Sequence, residues 1–221
     1  ERQLMMFSAT ISRETEAIAK EIMKEPEVIR GGESITVPAV IDHIYFVAEQ
    51  RDKIEVLRKL VRILSPEKAI VFVNKSDEIE VNASKLKYHG LAAEAIHGSS
   101  IKRDRKKTME EFRNGKIQLL VASDLAARGL DIEGVTHVFN LSMPEDPKDY
   151  LHRVGRTGRK GNTGTAVSIV TDRELTLIKK YEKVLKIKID ARDMYKGNII
   201  EARKTQKRDN IREKSSYKIK M

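Results

Sequence analysis

The stretch Ala69-Ile70-Val71-Phe72-Val73 decides the fold class of this sequence. All five side chains are apolar, and three of them are β-branched. A strand with one solvent-exposed face alternates apolar and polar residues. A continuous apolar run is instead typical of a strand in a parallel sheet that is buried on both faces. We therefore expect this run to be a central strand of an α/β fold.

The pattern on either side of this run repeats. Between residues 35 and 185, short β-branched runs alternate with helical patterns, which predicts βαβ units and a mainly parallel sheet flanked by helices. The clearest helix spans residues 52–64, where Leu57, Leu60 and Leu64 recur at helical spacing before Ser65-Pro66. Strands are expected over residues 40–47, 69–73, 93–96, 118–122, 137–141 and 165–170, and further helices over residues 76–88, 101–113, 147–154 and 173–186.

The two ends of the chain look different from this middle part. Residues 1–34 form a separate block, with a strand expected over residues 4–7, a helix over 12–24, a short apolar run at Val28-Ile29 and a break at Gly31-Gly32. From residue 191 the apolar pattern fades and basic residues accumulate. We expect residues 191–221 to be a basic tail, either a solvated extension or an arm that grips nucleic acid.

The composition favours a polyanionic partner. The 221 residues contain 43 lysines and arginines against 33 acidic residues, which gives a net charge of +10. Because the chain has no cysteine, it has no disulfide framework and no thiolate nucleophile. We find no apolar run of the ~18 residues that a membrane helix needs and no metal-ligand cluster. These features predict a cytoplasmic protein without a membrane segment or a bound metal of its own.

The segment His152-Arg153-Val154-Gly155-Arg156-Thr157-Gly158-Arg159 is the strongest chemical signal. Its arginines recur every third residue with glycines between them. Glycine lets a ligand or another backbone come close, and the planar guanidinium matches phosphate oxygens with two hydrogen bonds. This pattern predicts contact with a phosphate group, and arginines directed at a transferring phosphoryl group stabilise its charge.

A second signal follows the strand expected over residues 118–122. Ser123, Asp124, Arg128 and Asp131 come where that strand ends, and open parallel sheets bind ligands at the carboxyl ends of their strands. Asp131 is suited to accept hydrogen bonds from ribose hydroxyls, and Ser123 to donate to a phosphate. The spacing of Asp124 and Arg128 predicts an internal ion pair that shapes the loop.

Together these residues resemble the carboxy-terminal RecA-like domain of a DEAD-box RNA helicase over residues 35–190. Four segments match the family's motifs in order and at the usual separations: Ser8-Ala9-Thr10 resembles motif III, residues 69–74 motif IV, residues 123–131 motif V and residues 152–159 motif VI. The resemblance implies a RecA-like fold, similar to that of the phosphate-loop nucleoside triphosphatases, with a three-layer sandwich of a mainly parallel sheet flanked by helices. It also implies that residues 1–34 are the end of a preceding RecA-like domain.

The resemblance implies a role for each matching residue. Arg156 and Arg159 would be arginine fingers that reach the γ-phosphate of ATP, and Asp131 would contact the ribose. Interdomain coupling would involve Ser8, Thr10, His152 and Arg153. The RNA backbone would be contacted by Gly98, Arg105, Ser123 and Gly129, so RNA binding would show little sequence preference. Two positions depart from the family pattern, since Lys102 stands where glutamine is usual and Ser123 where threonine is usual.

The sequence lacks the motifs that hold a triphosphate. It has neither a Gly-x-x-x-x-Gly-Lys-Ser/Thr phosphate loop nor an Asp-Glu-Ala-Asp run for Mg²⁺. We expect ATP and Mg²⁺ to act only in a longer parent protein, in which a preceding RecA-like domain is the partner of this chain, and we expect no ATPase activity from the chain alone. We also expect either self-association through residues 1–30 or a disordered amino-terminus. The alternative is a stand-alone, non-catalytic RNA-binding module.

Overall fold

The structure is a computed structural model that describes residues 3–7, 13–29, 40–97, 102–127 and 132–202. The chain divides into two compact units, Glu1–Ile35 and Thr36–Met221. In the first unit, helix α1 spans Arg13–Ile22. Residues 4–7 form no strand, contrary to the sequence prediction. A strand needs a partner for its backbone hydrogen bonds, and the described part of this unit contains no second strand.

The second unit is built on one sheet of eight strands. These are β1 Ile41–Val47, β2 Ala69–Phe72, β3 Ala93–Ile96, β4 Leu119–Ala122, β5 His137–Asn140, β6 Gly164–Val170, β7 Asp190–Tyr195 and β8 Asn198–Glu201, in the spatial order β3-β4-β2-β5-β6-β1-β7-β8. Every neighbouring pair is parallel except β7 and β8. The mainly parallel sheet is confirmed.

Helices connect the strands as the alternation of patterns predicts. A short 3₁₀ turn over Gln50–Asp52 leads into α2 Lys53–Leu64, and the later helices are α3 Ser76–Tyr88, α4 Lys102–Arg113, α5 Asp124–Ala127, α6 Pro147–Val154 and α7 Leu175–Leu185. Helix α2 ends where Ser65 adopts a left-handed conformation and its amide donates to the Val61 carbonyl. No helix in the described ranges is long and apolar enough to cross a membrane.

The helices cover both faces of the sheet, because alternate strand residues point to opposite sides. In β6, Val167 and Ile169 join a core with α2 and α3, whereas Ala166 and Val170 join a second core with α6 and α7. In β2, Ile70 and Phe72 pack in a third core with α4 and α5. All residues of β2 are at most 1% exposed, which explains the continuous apolar run of its sequence.

The hairpin of β7 and β8 was missed by the sequence analysis, which places these residues in the tail. The sheet therefore ends at Glu201 and not at residue 190. Both strands carry charged residues, and only Met194 and Ile199 pack against the core. The available signal in the sequence was Gly197, because tight hairpin turns favour glycine. In the structure, Lys196 and Gly197 have positive φ angles of 46° and 77°, as such turns require.

Candidate active site

The candidate site lies at the carboxyl edge of the sheet. Strands β2, β4 and β5 are parallel neighbours, so the residues that follow them meet at the same edge. Asn74 follows β2, Asp124 follows β4, and Ser142 follows β5. Helix α6 carries the arginine segment to this edge. Its start is fixed by Asp146, whose side chain accepts from the Lys148 amide at 2.8 Å, and by Pro147 in the first turn.

Arg153 is the centre of the site and is only 1% exposed. Its Nε and Nη2 donate to the two carboxylate oxygens of Asp124, at 2.7 and 2.6 Å. Its remaining N–H groups donate to Asn74 Oδ1 at 2.8 Å, the Ser142 carbonyl at 2.6 Å and Asn140 Oδ1 at 3.4 Å. All five donors of the guanidinium are therefore satisfied inside the domain.

Asp124 has a partner that was not predicted from the sequence. Arg153 engages both of its carboxylate oxygens, and the pair expected with Arg128, four residues along the chain, stays a prediction. A long-range bidentate pair with a buried arginine is stronger than an exposed i, i+4 pair. Arg128 lies outside the described residues. All the donors of Arg153 are used inside the domain, and its predicted part in interdomain coupling stays a prediction.

Arg156 and Arg159 have different surroundings from Arg153. Both are partly exposed, and Arg159 Nε donates to the Gly155 carbonyl at 2.9 Å. Burial, and secondarily the charge of Arg159, lower the pKa of Arg156. Two cations held side by side in a partly dehydrated place favour the binding of an anion, which relieves their repulsion. Arg156 also lines a small cleft together with Asp149 and His152.

The backbone between these arginines is packed closely against the sheet. The Thr157 hydroxyl is buried and contacts the carbonyls of Val135 at 2.6 Å and Thr136 at 3.0 Å. Gly158 has a φ of +65°, and a Cβ atom there would lie 2.6 Å from Ile41 Cγ1. The glycine is required at this position for both its conformation and its lack of a side chain.

His152 lies beside the arginines on the last turn of α6. Its Nδ1 atom is 3.9 Å from Asp149 Oδ1, and the side chain is 33% exposed. It is therefore accessible at the edge of the cleft, in contrast to Arg153 on the next position of the helix. Its predicted coupling role is not tested by this geometry and stays a prediction.

Arg105 and Ser123 both contact the backbone of Ala126 in the short helix α5. Ser123 Oγ accepts from the Ala126 amide at 3.4 Å, and Arg105 Nη2 donates to the Ala126 carbonyl at 3.0 Å. Arg105 reaches this point from α4, across the sheet edge. The two residues predicted to line an RNA path thus share one turn of backbone, although their contact with RNA stays a prediction.

Several predicted site residues lie outside the described residues, namely Ser8, Thr10, Gly98, Gly129 and Asp131, as does the side chain of Lys102. Within the described ranges, no group of three or more histidine and acidic side chains is arranged to hold a metal ion. The sequence analysis missed the role of Asn140, which is fully buried. An asparagine at the end of the apolar run His137-Val138-Phe139 was the available signal.

Comparison with known proteins agrees with this geometry. Residues 52–161 match the family model described as the helicase conserved C-terminal domain. The DEAD-box ATP-dependent RNA helicase CshA of Geobacillus kaustophilus is 42% identical over 191 residues, which cover 86% of this chain and 41% of the relative. The chain thus spans about two-fifths of the length of this relative.

Two solved structures show the same likeness. Escherichia coli SrmB, a DEAD-box protein bound to regulator of ribonuclease activity A, is 34% identical, with a TM-score of 0.67 over 70% of this chain and 91% of the other. Saccharomyces cerevisiae Dbp5, bound to RNA and ADP BeF3, is 29% identical, with a TM-score of 0.75 over 84% of this chain and 50% of the other.

The fold and the arginine segment thus define a RecA-like helicase domain. More particularly, the chain belongs to the DEAD-box RNA helicase family and corresponds to its carboxy-terminal domain.

Proposed function

We propose that this chain is the second RecA-like domain of an ATP-dependent RNA helicase and that it contributes half of the ATP site. The observation that carries the proposal is the difference in surroundings among the three arginines. Arg153 is neutralised inside the domain by Asp124, whereas Arg156 and Arg159 place two cations beside each other at the sheet edge. The relative from Geobacillus kaustophilus is an ATP-dependent RNA helicase, which supports this proposal.

In this proposal, Arg156 and Arg159 act on the γ-phosphate of an ATP that a preceding domain holds. Charge builds up on the transferring phosphoryl group, and arginines stabilise this charge without losing their own proton. Bound ATP with Mg²⁺ supplies the reactive phosphoryl group. In this proposal, the preceding domain holds the Mg²⁺ and this chain contributes arginines. Asp131 completes the site by contacting the ribose.

RNA follows a path along the same edge in this proposal. Arg105 and Ser123 share the α5 turn, and we place Gly98 and Gly129 on the same path. These groups suit contacts with phosphate and sugar rather than with bases, so the domain would show little sequence preference. Dbp5, a structural neighbour, is recorded bound to RNA, which supports RNA as the polyanion.

Coupling between nucleotide and RNA would involve Ser8, Thr10 and His152. Arg153 would contribute by holding the residues after β2, β4 and β5 in one arrangement, because its donors reach Asn74, Asp124 and Ser142. The partner for this coupling is the preceding RecA-like domain. Residues 1–30 could also pair with a second copy of the chain, since Phe7 and Ile29 are 87% and 84% exposed.

The test replaces each arginine in the longer protein that contains this chain. Arg156→Ala and Arg159→Ala should each lower the RNA-stimulated kcat for ATP roughly a thousandfold, the magnitude typical of an arginine finger. Arg62→Ala is the matched control, because Arg62 is exposed near the end of α2, which leads into the amino end of β2 at the opposite edge of the sheet. Its kcat should stay near the unmodified value.

A different result would favour the alternative. If both arginine variants kept full turnover, or if the longer protein bound RNA without any ATP hydrolysis, the arginine-finger role would be wrong. The chain would then be a non-catalytic RNA-binding module. Measuring RNA affinity in the same variants separates these outcomes, because affinity should survive the loss of turnover if the proposed roles are right.

A further inference from the structure

A buried polar seam runs beneath helix α6. It consists of His43 from β1, Ser168 from β6 and Asn140 from β5, which lie on three neighbouring strands, and of Tyr150 and Arg153 from α6. None of these five residues is more than 8% exposed. Apolar side chains such as Val154 and Ala166 pack around it. The helix therefore docks on the sheet through hydrogen bonds as well as through apolar contacts.

The polar groups of the seam form one continuous chain. Arg153 Nη1 donates to Asn140 Oδ1 at 3.4 Å, and Asn140 Nδ2 donates to Ser168 Oγ at 3.3 Å. Burial raises the pKa of Tyr150, and the neighbouring Ser168 hydroxyl opposes that rise. The Tyr150 hydroxyl lies 2.9 Å from His43 Nδ1. The chain thus runs from the guanidinium at the candidate active site to an imidazole on β1, two strands from Asn140.

The chemistry of the groups gives this chain a direction. A guanidinium can only donate, so the Asn140 side-chain oxygen must accept from Arg153. The NH₂ group of Asn140 then donates to Ser168. Ser168 Oγ accepts that donor, which leaves its own proton for the Tyr150 oxygen. Tyr150 then has its proton available for His43. Hydrogen bonds aligned in this way polarise and strengthen one another, and the last group must be an acceptor.

We propose that His43 is a positioning residue: a neutral imidazole, with its proton on Nε2, that ends this chain as the acceptor at Nδ1 and so holds α6 in register on the sheet. Tyr150 and Arg153 are three residues apart on α6, and Arg156 follows after three more. Fixing the register of α6 therefore fixes the start of the arginine segment. The positioning role of His43 rests on the proposed function of Arg156 and Arg159, whereas the contacts of His43 and Tyr150 are independent of that function.

The buried imidazole of His43 has a cost in free energy. His43 Nε2 is buried and has no hydrogen-bond partner within the described ranges. A buried polar atom without a partner is unfavourable, and a leucine would avoid that cost. The histidine supplies instead an acceptor for the Tyr150 proton. Buried polar contacts of this kind are best attested as devices that select one packing register over others.

The first experiment reads the tautomer directly on the complete chain. Long-range ¹⁵N–¹H correlation spectra of the five histidine rings at pH 7 identify which ring nitrogen carries the proton, and His43→Gln assigns the His43 signals by their loss. The expected result is a fixed tautomer with Nε2 protonated and Nδ1 bare. A proton on Nδ1, or rapid exchange between the two tautomers, would overturn the proposal.

The second experiment tests positioning through the Nε–H signal of Arg153. In His43→Leu the chain of bonds loses its acceptor, and hydrogen exchange of this group should become about fivefold faster, the ratio that one average hydrogen bond contributes. His43→Gln keeps an acceptor and should retain the slow exchange. His89→Leu, at an exposed histidine of the same domain, is the matched control. Equal exchange in the leucine and glutamine variants would overturn the positioning role.

Neither readout uses nucleotide or RNA. A failure here would leave the proposed ATP chemistry standing, and a failure of that chemistry would leave the seam standing. If His43→Leu did not fold, the tautomer of the unmodified chain would decide the matter by itself.

Discussion

At the scale of single residues, the arginine segment shows what spacing can and cannot predict. The regular recurrence of Arg153, Arg156 and Arg159 predicts a phosphate-binding segment, but it makes the three residues look equivalent. They are not, because the partners that bury Arg153 lie far away in sequence, with Asp124 at 29 positions and Asn74 at 79. Only the parallel sheet brings these groups to one edge. Spacing alone therefore could not distinguish the buried arginine from the two partly exposed ones.

The buried position of Arg153 leads to a stability prediction. Arg153→Met should lower the free energy of unfolding by about 3 kcal/mol, because it leaves Asp124 and the amide oxygens of Asn74 and Asn140 without their donor. Arg153→Lys should lower it less, since lysine keeps the charge but not the fork of donors. Urea denaturation of the complete chain measures both values. The control Arg51→Met should stay within about 0.5 kcal/mol of the unmodified chain, and equal losses at both positions would contradict this role for Arg153.

His43 leads to a pH prediction. Burial lowers the pKa of its imidazole from the ordinary value of 6.5 to about 4, against a smaller opposing effect of Asp42. The unfolded chain therefore takes up a proton first, so stability is complete above pH 6.5 and falls as the pH drops towards 4. Tyr150 and, behind it, Tyr181 are neutral in this range and do not titrate. The expected loss is about 2–3 kcal/mol.

Urea midpoints between pH 7 and pH 4 check this dependence. The pKa of His137 is also lowered by burial, so part of the slope should remain after His43 is replaced. His43→Gln should flatten the curve relative to the unmodified chain. An unchanged slope in that variant would show that His43 does not titrate as described.

At the scale of helices and strands, apolar runs predicted most of the sheet. Strands β1 to β6 and helices α2, α3, α4, α6 and α7 lie within two residues of their expected bounds, because each buries a continuous or periodic apolar face. The predictions that were wrong concern segments in which apolar residues and strand structure do not coincide. Residues 4–7 are apolar without a strand, and β7 and β8 are strands with few apolar residues. Edge strands are held by backbone pairing to a neighbour, which composition does not reveal.

Close packing between the arginine segment and β6 gives a prediction at this scale. Gly164→Ala would place a Cβ atom 2.4 Å from Thr157 Oγ1 and 2.8 Å from the Gly158 nitrogen, so the backbone of the segment must shift. The expected loss is at least about 2 kcal/mol of unfolding free energy. Gly115→Ala is the matched control, since a Cβ atom there has nothing within 4 Å and meets only the strain of a φ of +75°.

Thermal and urea unfolding of the two alanine variants provide the measurement. The control should lose about 1 kcal/mol, in line with a left-handed conformation. If Gly164→Ala were no worse than Gly115→Ala, the segment would not be packed as tightly as the distances indicate.

At the scale of the whole molecule, we predict that the end of the chain contributes to RNA binding and not to the stability of the fold. Residues 203–221 carry eight basic and two acidic residues. Ending the chain after Ala202 should leave the free energy of unfolding unchanged but reduce both RNA affinity and its dependence on salt, because fewer phosphates are neutralised. Ending it after Ile189 should also destabilise the fold by about 3 kcal/mol, since Met194 and Ile199 no longer cover the core.

Two measurements on these truncated chains distinguish the effects. Fluorescence anisotropy with a single-stranded RNA over a range of salt concentrations gives the slope, and urea unfolding gives the stability. A slope unchanged by removal of residues 203–221 would mean that these residues do not grip RNA.

The central claim is that this domain holds only part of a catalytic site. The most direct measurement is Mg²⁺-dependent ATP hydrolysis by this chain alone, compared with the longer protein that contains it and with the Arg156→Ala variant of each. We expect no turnover from the chain alone at any RNA concentration, and RNA-stimulated turnover from the longer protein that the variant loses. Robust turnover by the chain alone, abolished in its Arg156→Ala variant, would contradict the claim and make this domain a complete enzyme.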